Sequence, residues 1–195
     1  MQNEKNILRA EARRHRSLTD FSEETPDKAA QFFWESFPDL PKDTVIAGYW
    51  PKGKEFDSSL ILEQAAERGY DCALPVIQEE GLILKFLEWS PGAEMMNGPY
   101  DIARPLPNAN ELKPDIILVP LLAFDRRGIR LGQGGGYYDA TLEYLRKASP
   151  ELLAVGTAYA GQAVLFNLPA EEHDQRLDMV ITPKKVHDFR TKKAR

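Results

Sequence analysis

The chain is 195 residues long, 43% of them apolar, and carries a formal net charge of −5. This length and composition predict one globular domain with a sizeable core, and the mild acidity argues against a general nucleic-acid binder. The single cysteine, Cys72, excludes an internal disulfide, indicates a reducing compartment and is expected to be buried. The sequence has neither a membrane-length apolar segment nor a signal-peptide pattern, so the cytoplasm is the expected location.

The first 40 residues are predicted to form a helical N-terminal part of the domain. Residues 3–16 place Ile7 and Leu8 among several basic side chains, which indicates a basic helix. A second helix is expected to begin near Ser22 and to end before Pro38, because apolar residues recur at helical spacing until proline stops them.

The rest of the chain alternates between strands and helices. Strands are predicted at residues 44–50, 72–76, 82–88, 115–119, 152–158 and 178–182. Helices are predicted from Asp57 or Ser58 to Arg68, and from the end of a glycine-rich stretch to about Ala148. This alternation predicts an α/β fold, a single domain over residues 1–195 with a mostly parallel open sheet, flanked by helices on both faces and Rossmann-like.

Two segments are predicted to lack regular structure. Residues 90–113 are rich in proline, glycine and asparagine and are expected to form a long functional loop. The basic segment 184–195 is expected to be a frayed, solvated end of the domain.

The most informative segment runs from Arg130 to Asp139 and contains four glycines within residues 132–136. Bare backbone N–H groups that lead directly into a helix suit an anion, most often a phosphate. The segment lacks the Gly-Lys-Ser/Thr of the Walker pattern, and Tyr137 stands where the dinucleotide fingerprint has its third glycine. A flexible surface loop would explain the glycines, but not the arginine, the tyrosines and the aspartate together. Phosphate, cation and carboxylate within ten residues suggest a metal–nucleotide site.

The run PLLAFDRRGIRLGQGGGYYD, which ends at Asp139, resembles the signature of the 5-formyltetrahydrofolate cyclo-ligase family, also called 5,10-methenyltetrahydrofolate synthetases. Weaker similarities near Lys5 and Arg9, near residues 50–55 and near Asp174 extend the resemblance over almost the whole chain. The resemblance implies an enzyme that converts 5-formyltetrahydrofolate and ATP into 5,10-methenyltetrahydrofolate, ADP and phosphate. It also implies magnesium and a phosphorylated formyl intermediate.

The resemblance further implies which residues bind each ligand. The implied ATP contacts are Lys5, Arg9, Arg130, Gly132, Gln133, Gly134, Gly135, Gly136, Tyr137 and Tyr138. The implied folate contacts are Trp50, Glu55, Gln133, Gly134, Gly135, Gly136 and Tyr137. Arg130 and Tyr137 are the implied catalytic residues, and Asp139 and Asp174 the implied magnesium ligands.

Some of these assignments have alternatives. Tyr138 shares a helix face with Leu142 and Leu145, which favours a core position for it. Asp178 is the nearest competitor of Asp174 in sequence. Many members of the family carry arginine or tyrosine where this chain has Gln133.

Three classes of function compete at this point. The leading hypothesis is the ATP-dependent cyclo-ligase. A sugar-phosphate or acyl-CoA enzyme on a similar sheet would use the glycine stretch without ATP hydrolysis, and a non-catalytic nucleotide- or folate-binding protein would keep the site alone. The expected partner is a small-molecule substrate rather than nucleic acid or membrane, and the protein is expected to be a monomer.

Overall fold

The computed structural model describes residues 2–190. The α-helices are α1 (Gln2–Leu18), α2 (Pro26–Ser36), α3 (Ser59–Glu67) and α4 (Tyr137–Ala148). The strands are β1 (Val45–Ala47), β2 (Asp71–Val76), β3 (Lys85–Trp89), β4 (Met95–Asn97), β5 (Ala103–Pro105), β6 (Ile116–Val119), β7 (Ala123–Phe124), β8 (Arg130–Leu131), β9 (Leu153–Thr157), β10 (Met179–Ile181) and β11 (Val186–Asp188). Short 3₁₀ helices lie at Pro99–Asp101 and Ala160–Gln162.

The central sheet has seven strands in the order β11-β10-β9-β6-β1-β2-β3. Its five inner strands, from β10 to β2, are parallel, and each edge strand joins its neighbour in the antiparallel sense. This arrangement confirms the predicted single α/β domain with a mostly parallel sheet. Two small hairpins, β4–β5 and β7–β8, lie outside the central sheet.

Apolar side chains fill both faces of the sheet. Successive residues of a strand point to opposite faces, so Ile116 and Leu118 of β6 join one core cluster and Ile117 joins the other. The first cluster includes Phe33 of α2 and residues of α3, and the second includes Leu142 of α4. Helices therefore cover both faces, as the sequence predicts for buried parallel strands.

Residues 90–113 differ from the predicted loop. They contain the β4–β5 hairpin, in which Met96 pairs with Arg104 and the Gly98 N–H donates to the Ile102 carbonyl at 2.9 Å. Three-residue strands are too short for an alternating pattern to be visible in the sequence. The predicted strand at 82–88 also begins later, at Lys85, because a turn with Gly81 at φ +83° precedes it.

The predicted frayed end is ordered over its first part. Residues Val186–Asp188 form β11 and pair with β10. Hydrogen bonds between the backbones of Thr182 and Lys185 close the turn between these strands. Residues 191–195 of this segment lie outside the described residues.

Cys72 is buried, and burial raises the pKa of its thiol to about 12, so it behaves as a small apolar side chain, as predicted.

Within the part of the chain that the structure describes, none of the helices combines the length and apolarity needed to cross a membrane.

Candidate active site

A cavity of about 950 Å³ lies at the carboxyl ends of β1 and β6. Trp50 follows the end of β1 and Pro120 directly follows β6, and both residues line this cavity. From β1 the chain continues to β2, towards the β3 edge of the sheet, whereas from β6 it continues to β9, towards the β11 edge. The strand order therefore reverses between β1 and β6. Such a crevice is the usual ligand site of an open α/β sheet, and this volume suits a small molecule.

The cavity brings together every residue that the sequence analysis assigned to a site. These residues are Lys5, Arg9, Trp50, Glu55, Arg130, Gly132, Gln133, Gly134, Gly135, Gly136, Tyr137, Tyr138, Asp139 and Asp174. Their individual roles stay predictions. Asp178, the alternative to Asp174, instead accepts hydrogen bonds from Arg146 and from the N–H of Ala154.

Three of the four glycines in residues 132–136, called the glycine loop below, are needed for two different reasons. Gly134 and Gly136 have φ angles of +107° and +74°, which side chains rarely tolerate. Gly135 has an ordinary φ, but an added Cβ would lie 2.8 Å from the ring of Tyr137. Gly136 precedes the first residue of α4, so the loop ends where a helix presents free N–H groups and the positive end of its dipole.

Arg130 is a buried cation behind the glycine loop. Its guanidinium donates to Asp139 Oδ1 at 2.9 Å and to the carbonyl of Gln175 at 2.6 Å. Burial lowers the pKa of Arg130, while the charge of Asp139 acts in the opposite direction. An arginine nevertheless stays protonated in proteins, so this end of the cavity carries a fixed positive charge.

Lys5 forms a second buried cationic centre. Its Nζ lies 2.6 Å from Asp174 Oδ2 and 2.7 Å from Glu171 Oε2. Burial acts to lower the pKa of Lys5, but the hydrogen bonds to both carboxylates outweigh it and the pKa lies above its ordinary value. Ligand atoms of Glu171, His173 and Asp174 all lie within 4.8 Å of one another, which makes this cluster a possible metal site.

A chain of polar contacts joins α1 to the turn after β1. Arg13 Nε donates to Gln133 Oε1 at 3.0 Å, and Gln133 Nε2 donates to Glu55 Oε1 at 3.1 Å. Beside it, Arg9 Nε donates to the carbonyl of Gly132 at 3.1 Å. Three segments that are distant in sequence are therefore in direct contact at the glycine loop.

Aromatic side chains line the remaining part of the cavity. Trp50 is 37% exposed, which leaves its ring accessible from the cavity. A hydrogen bond with the side chain of Tyr100 raises the pKa of Tyr137. Tyr138 packs against the second core cluster, as predicted, but it also lines the cavity, and burial of its hydroxyl raises its pKa.

Several cavity-lining residues were not identified from the sequence, among them Arg16, Tyr100, Arg104 and Glu171. Glu171 was detectable in principle, because it belongs to the acidic run that ends at Asp174. Arg16 continues the basic face of α1, a pattern that also fits a solvated helix. Tyr100 and Arg104 lie in the β4–β5 hairpin, where no periodic pattern marked them.

The site can be compared with known proteins. The 5-formyltetrahydrofolate cyclo-ligase of Escherichia coli strain K12 is 32% identical over 184 residues, which cover 90% of this chain and 98% of that protein. The protein of the same name from Mycolicibacterium smegmatis is 34% identical over 149 residues, covering 72% of this chain and 74% of that protein.

Solved structures show the same fold. The NMR structure of 5,10-methenyltetrahydrofolate synthetase from Aquifex aeolicus has a TM-score of 0.78 and 27% identity, and the match covers 98% of this chain and 95% of that one. The Mycoplasma pneumoniae synthetase of the same name has a TM-score of 0.69 at 24% identity, over 92% of this chain and 98% of that one. The sequence pattern of the 5-formyltetrahydrofolate cyclo-ligase family matches residues 1–183. The chain therefore belongs to this family of enzymes.

Proposed function

We propose that this enzyme uses ATP and Mg²⁺ to convert 5-formyltetrahydrofolate into 5,10-methenyltetrahydrofolate, with release of ADP and phosphate. The observation that supports this most directly is the 3.1 Å contact between Gln133 of the glycine loop and Glu55 of the turn after β1. A nucleotide on the loop and a pterin beside Glu55 would share one cavity. The γ-phosphate and the formyl group would then be close enough for direct transfer.

The phosphates would lie between α1 and the first turn of α4. Arg9 and Arg130 supply positive charge there, and the glycine loop exposes backbone N–H groups without side chains in the way. Lys5 lines the same cavity from the start of α1, and its ammonium, which pairs with Glu171 and Asp174, adds a third cation. This clustering of cations favours a triphosphate over a neutral ligand.

The carboxylates of Asp139 and Asp174 would hold the magnesium ion. Within residues 2–190, Asp139 accepts two hydrogen bonds, both on Oδ1, and Asp174 accepts two, both on Oδ2. Each carboxylate thus keeps one oxygen available, and oxygen ligands completed by phosphates and water are what Mg²⁺ prefers. Magnesium bound there would neutralise charge on the phosphate oxygens.

The pterin would lie against Trp50 and Glu55. The indole offers an apolar face to an aromatic-like ring. Glu55 accepts from Gln133 on Oε1 and from the N–H of Lys52 on Oε2, and each oxygen has a further lone pair for the amino-pyrimidine donors of the folate. Tyr137, next to the glycine loop, would lie between the two ligands.

The reaction itself needs alignment and charge neutralisation more than a protein nucleophile. The formyl oxygen attacks the γ-phosphorus, and the bond from that phosphorus to the bridging oxygen breaks, so ADP leaves. N10 of the folate then attacks the activated formyl carbon and loses its proton to water. The carbon–oxygen bond to phosphate breaks last and leaves the methenyl bridge. The buried cations and the loop would stabilise charge that spreads over the transferred phosphoryl oxygens.

An absorbance assay for methenyltetrahydrofolate tests this proposal. The purified enzyme is mixed with 5-formyltetrahydrofolate, with and without ATP and with and without Mg²⁺, and ADP is quantified in parallel. We expect product only when both are present, with one ADP formed for each methenyl product. Turnover without ATP would favour a different reaction at the same loop. Tight ligand binding without turnover would instead indicate a binding protein that retains the family's site.

A further inference from the structure

One face of α1 carries a row of four cations, three of which line the cavity. Lys5, Arg9, Arg13 and Arg16 follow one another at spacings of four, four and three residues, which places them on the same side of a helix. The first three contact the acidic cluster, the glycine loop and Gln133, respectively. Arg16 is the last of the row and also lines the cavity.

Arg16 differs from the other three because its Nη1 atom has no hydrogen-bond acceptor within residues 2–190. Its side chain is nine-tenths buried, with 9% exposure for the residue. Its Nη1 atom is shielded from solvent, and no acceptor among residues 2–190 lies within hydrogen-bonding distance of it. A buried donor without an acceptor is costly, and arginine cannot escape the cost by losing its proton. Because Arg16 also lines the cavity, a small shift of its side chain would let a bound ligand supply the acceptor.

The position of Arg16 identifies the end of the cavity that it serves. The carbonyl of the next residue, Ser17, accepts a hydrogen bond from Lys54 Nζ at 2.7 Å. Arg16 is next to Ser17 in sequence, and Glu55 is next to Lys54. Both residues therefore lie close to the place where α1 meets the turn after β1. The phosphate-binding end lies about two to three helical turns away along α1, at Arg9 and Lys5.

We propose that Arg16 donates a hydrogen bond to the 4-oxo oxygen of the pterin and thereby selects folates that carry this group. The inference rests on the proposed function. In a reduced pterin the 2-amino and N3–H donors lie beside the 4-oxo acceptor. An acceptor at Glu55 and a donor at Arg16 match that edge of the ring. The carboxylates of a glutamate tail are less suitable partners, because they are stable in water and lie at the opposite end of the molecule.

Binding measurements with three ligands and two matched variants test this inference. Arg16→Met removes the guanidinium but keeps an apolar stem, and Arg14→Met makes the same change at an exposed position of α1. Affinity is measured for 5-formyltetrahydrofolate, for its analogue with a 4-amino group in place of the 4-oxo group, and for magnesium ADP. Thermal melts of all proteins check that each variant folds.

We expect Arg16→Met to weaken binding of the 4-oxo folate by about 10-fold or more, the effect of losing a hydrogen bond to a charged group. Arg16→Met should bind magnesium ADP as tightly as the unmodified enzyme does. Arg14→Met should alter neither the affinity for the folate nor the affinity for magnesium ADP. The preference for the 4-oxo over the 4-amino folate should fall by a similar factor in Arg16→Met. Glu55 is present in both proteins, so its contribution cancels in this ratio.

The possible contrary results are distinct. An unmodified enzyme that binds no folate would contradict the proposed function rather than the role of Arg16. Unchanged folate affinity in Arg16→Met, or an equal loss of affinity for folate and ADP, would show that Arg16 does not bind the 4-oxo group of the pterin. If Arg16→Met does not fold, Arg16→Leu, which also lacks a donor, replaces it in the same measurements. A reduced preference for the 4-oxo folate in Arg16→Leu then supports the inference, and an unchanged preference overturns it.

Discussion

Asp125 shows that part of the family signature is needed for structure rather than for chemistry. Its carboxylate is fully buried and accepts five hydrogen bonds. They come from the backbone N–H groups of Arg127, Ile129 and Leu168 and from the guanidinium of Arg127. These bonds hold the turn between β7 and β8 against the loop before Leu168. The turn leads directly into the glycine loop, so Asp125 supports the site without lining it.

Asp125→Asn should reduce the free energy of unfolding by about 2–4 kcal/mol near neutral pH, because buried donors lose a charged acceptor. Burial acts to raise the pKa of Asp125, but the hydrogen bonds outweigh it and hold the folded-state pKa below the ordinary value of 3.8. The stabilisation is therefore present above about pH 3.8 and is lost as the pH falls through the lower, folded-state pKa.

Urea unfolding of the unmodified enzyme and of Asp125→Asn at several pH values between 3 and 7 measures this effect. The gap between the two free energies of unfolding should be widest near neutrality and should narrow in acid. Asp39→Asn, at an exposed position, should leave the free energy unchanged across the range. A gap that stays constant down to the lowest pH would contradict the assignment to the Asp125 carboxylate.

Helix α1 is held to the domain by charge more than by apolar burial. Its two buried residues are Lys5 and Arg16, whereas Ile7 and Leu18 are 55% and 74% exposed. Leu8 packs with Ala12 on a small satellite cluster beside β7 and β8, which gives the helix only limited apolar contact. The attachment of the helix therefore depends on the same cations that line the cavity.

Lys5→Ala should loosen the start of α1 and weaken ATP binding together. The change leaves the carboxylates of Glu171 and Asp174 without their buried cation, and a hydrogen bond to a charged group contributes roughly 1.5–3 kcal/mol. Amide hydrogen exchange should become faster in the first turns of α1, and magnesium ATP should slow exchange there in the unmodified enzyme. Arg14→Ala on the same helix is the control. Exchange that is equally slow in Lys5→Ala would mean that the helix is held by Leu8 and its neighbours.

The elements that the sequence predicted are those whose pattern is local. The apolar run at 115–119 and the capped helix from Ser59 are visible without knowing their neighbours. The β4–β5 hairpin was missed because its three-residue strands show no alternating pattern, and its contacts with β2 and β3 are set only by the fold. The same limit applies to the site: the glycine loop is a contiguous signal, but the burial of Arg16 depends on where α1 lies on the folded domain.

At the scale of the whole molecule, the sheet topology explains why residues about 80 positions apart form one site. The parallel strands β1 and β6 are neighbours and end at the same edge of the sheet. The connection from each strand then turns to the opposite side, which opens the crevice between them. Glu55 follows one strand and Gln133 lies beyond the other, so their contact spans the cavity between the proposed folate and nucleotide positions.

That contact makes Gln133 the expected point of coupling between the two ligands. Its amide accepts from Arg13 and donates to Glu55, so a nucleotide that shifts the glycine loop also shifts an acceptor proposed for the pterin. Coupling between two binding sites is reciprocal in free energy. The folate should therefore alter the affinity for magnesium ADP by the same factor as magnesium ADP alters the affinity for the folate.

Gln133→Ala should reduce that coupling factor towards one while both ligands still bind. Isothermal titration of 5-formyltetrahydrofolate with and without saturating magnesium ADP gives the factor for each protein. Gln78→Ala, which removes an amide that bonds only the carbonyl of Ile83 within the described chain, serves as the control and should keep the coupling of the unmodified enzyme. If Gln133→Ala retains full coupling, the two ligands must communicate by direct contact in the cavity instead of through the bridge between the glycine loop and Glu55.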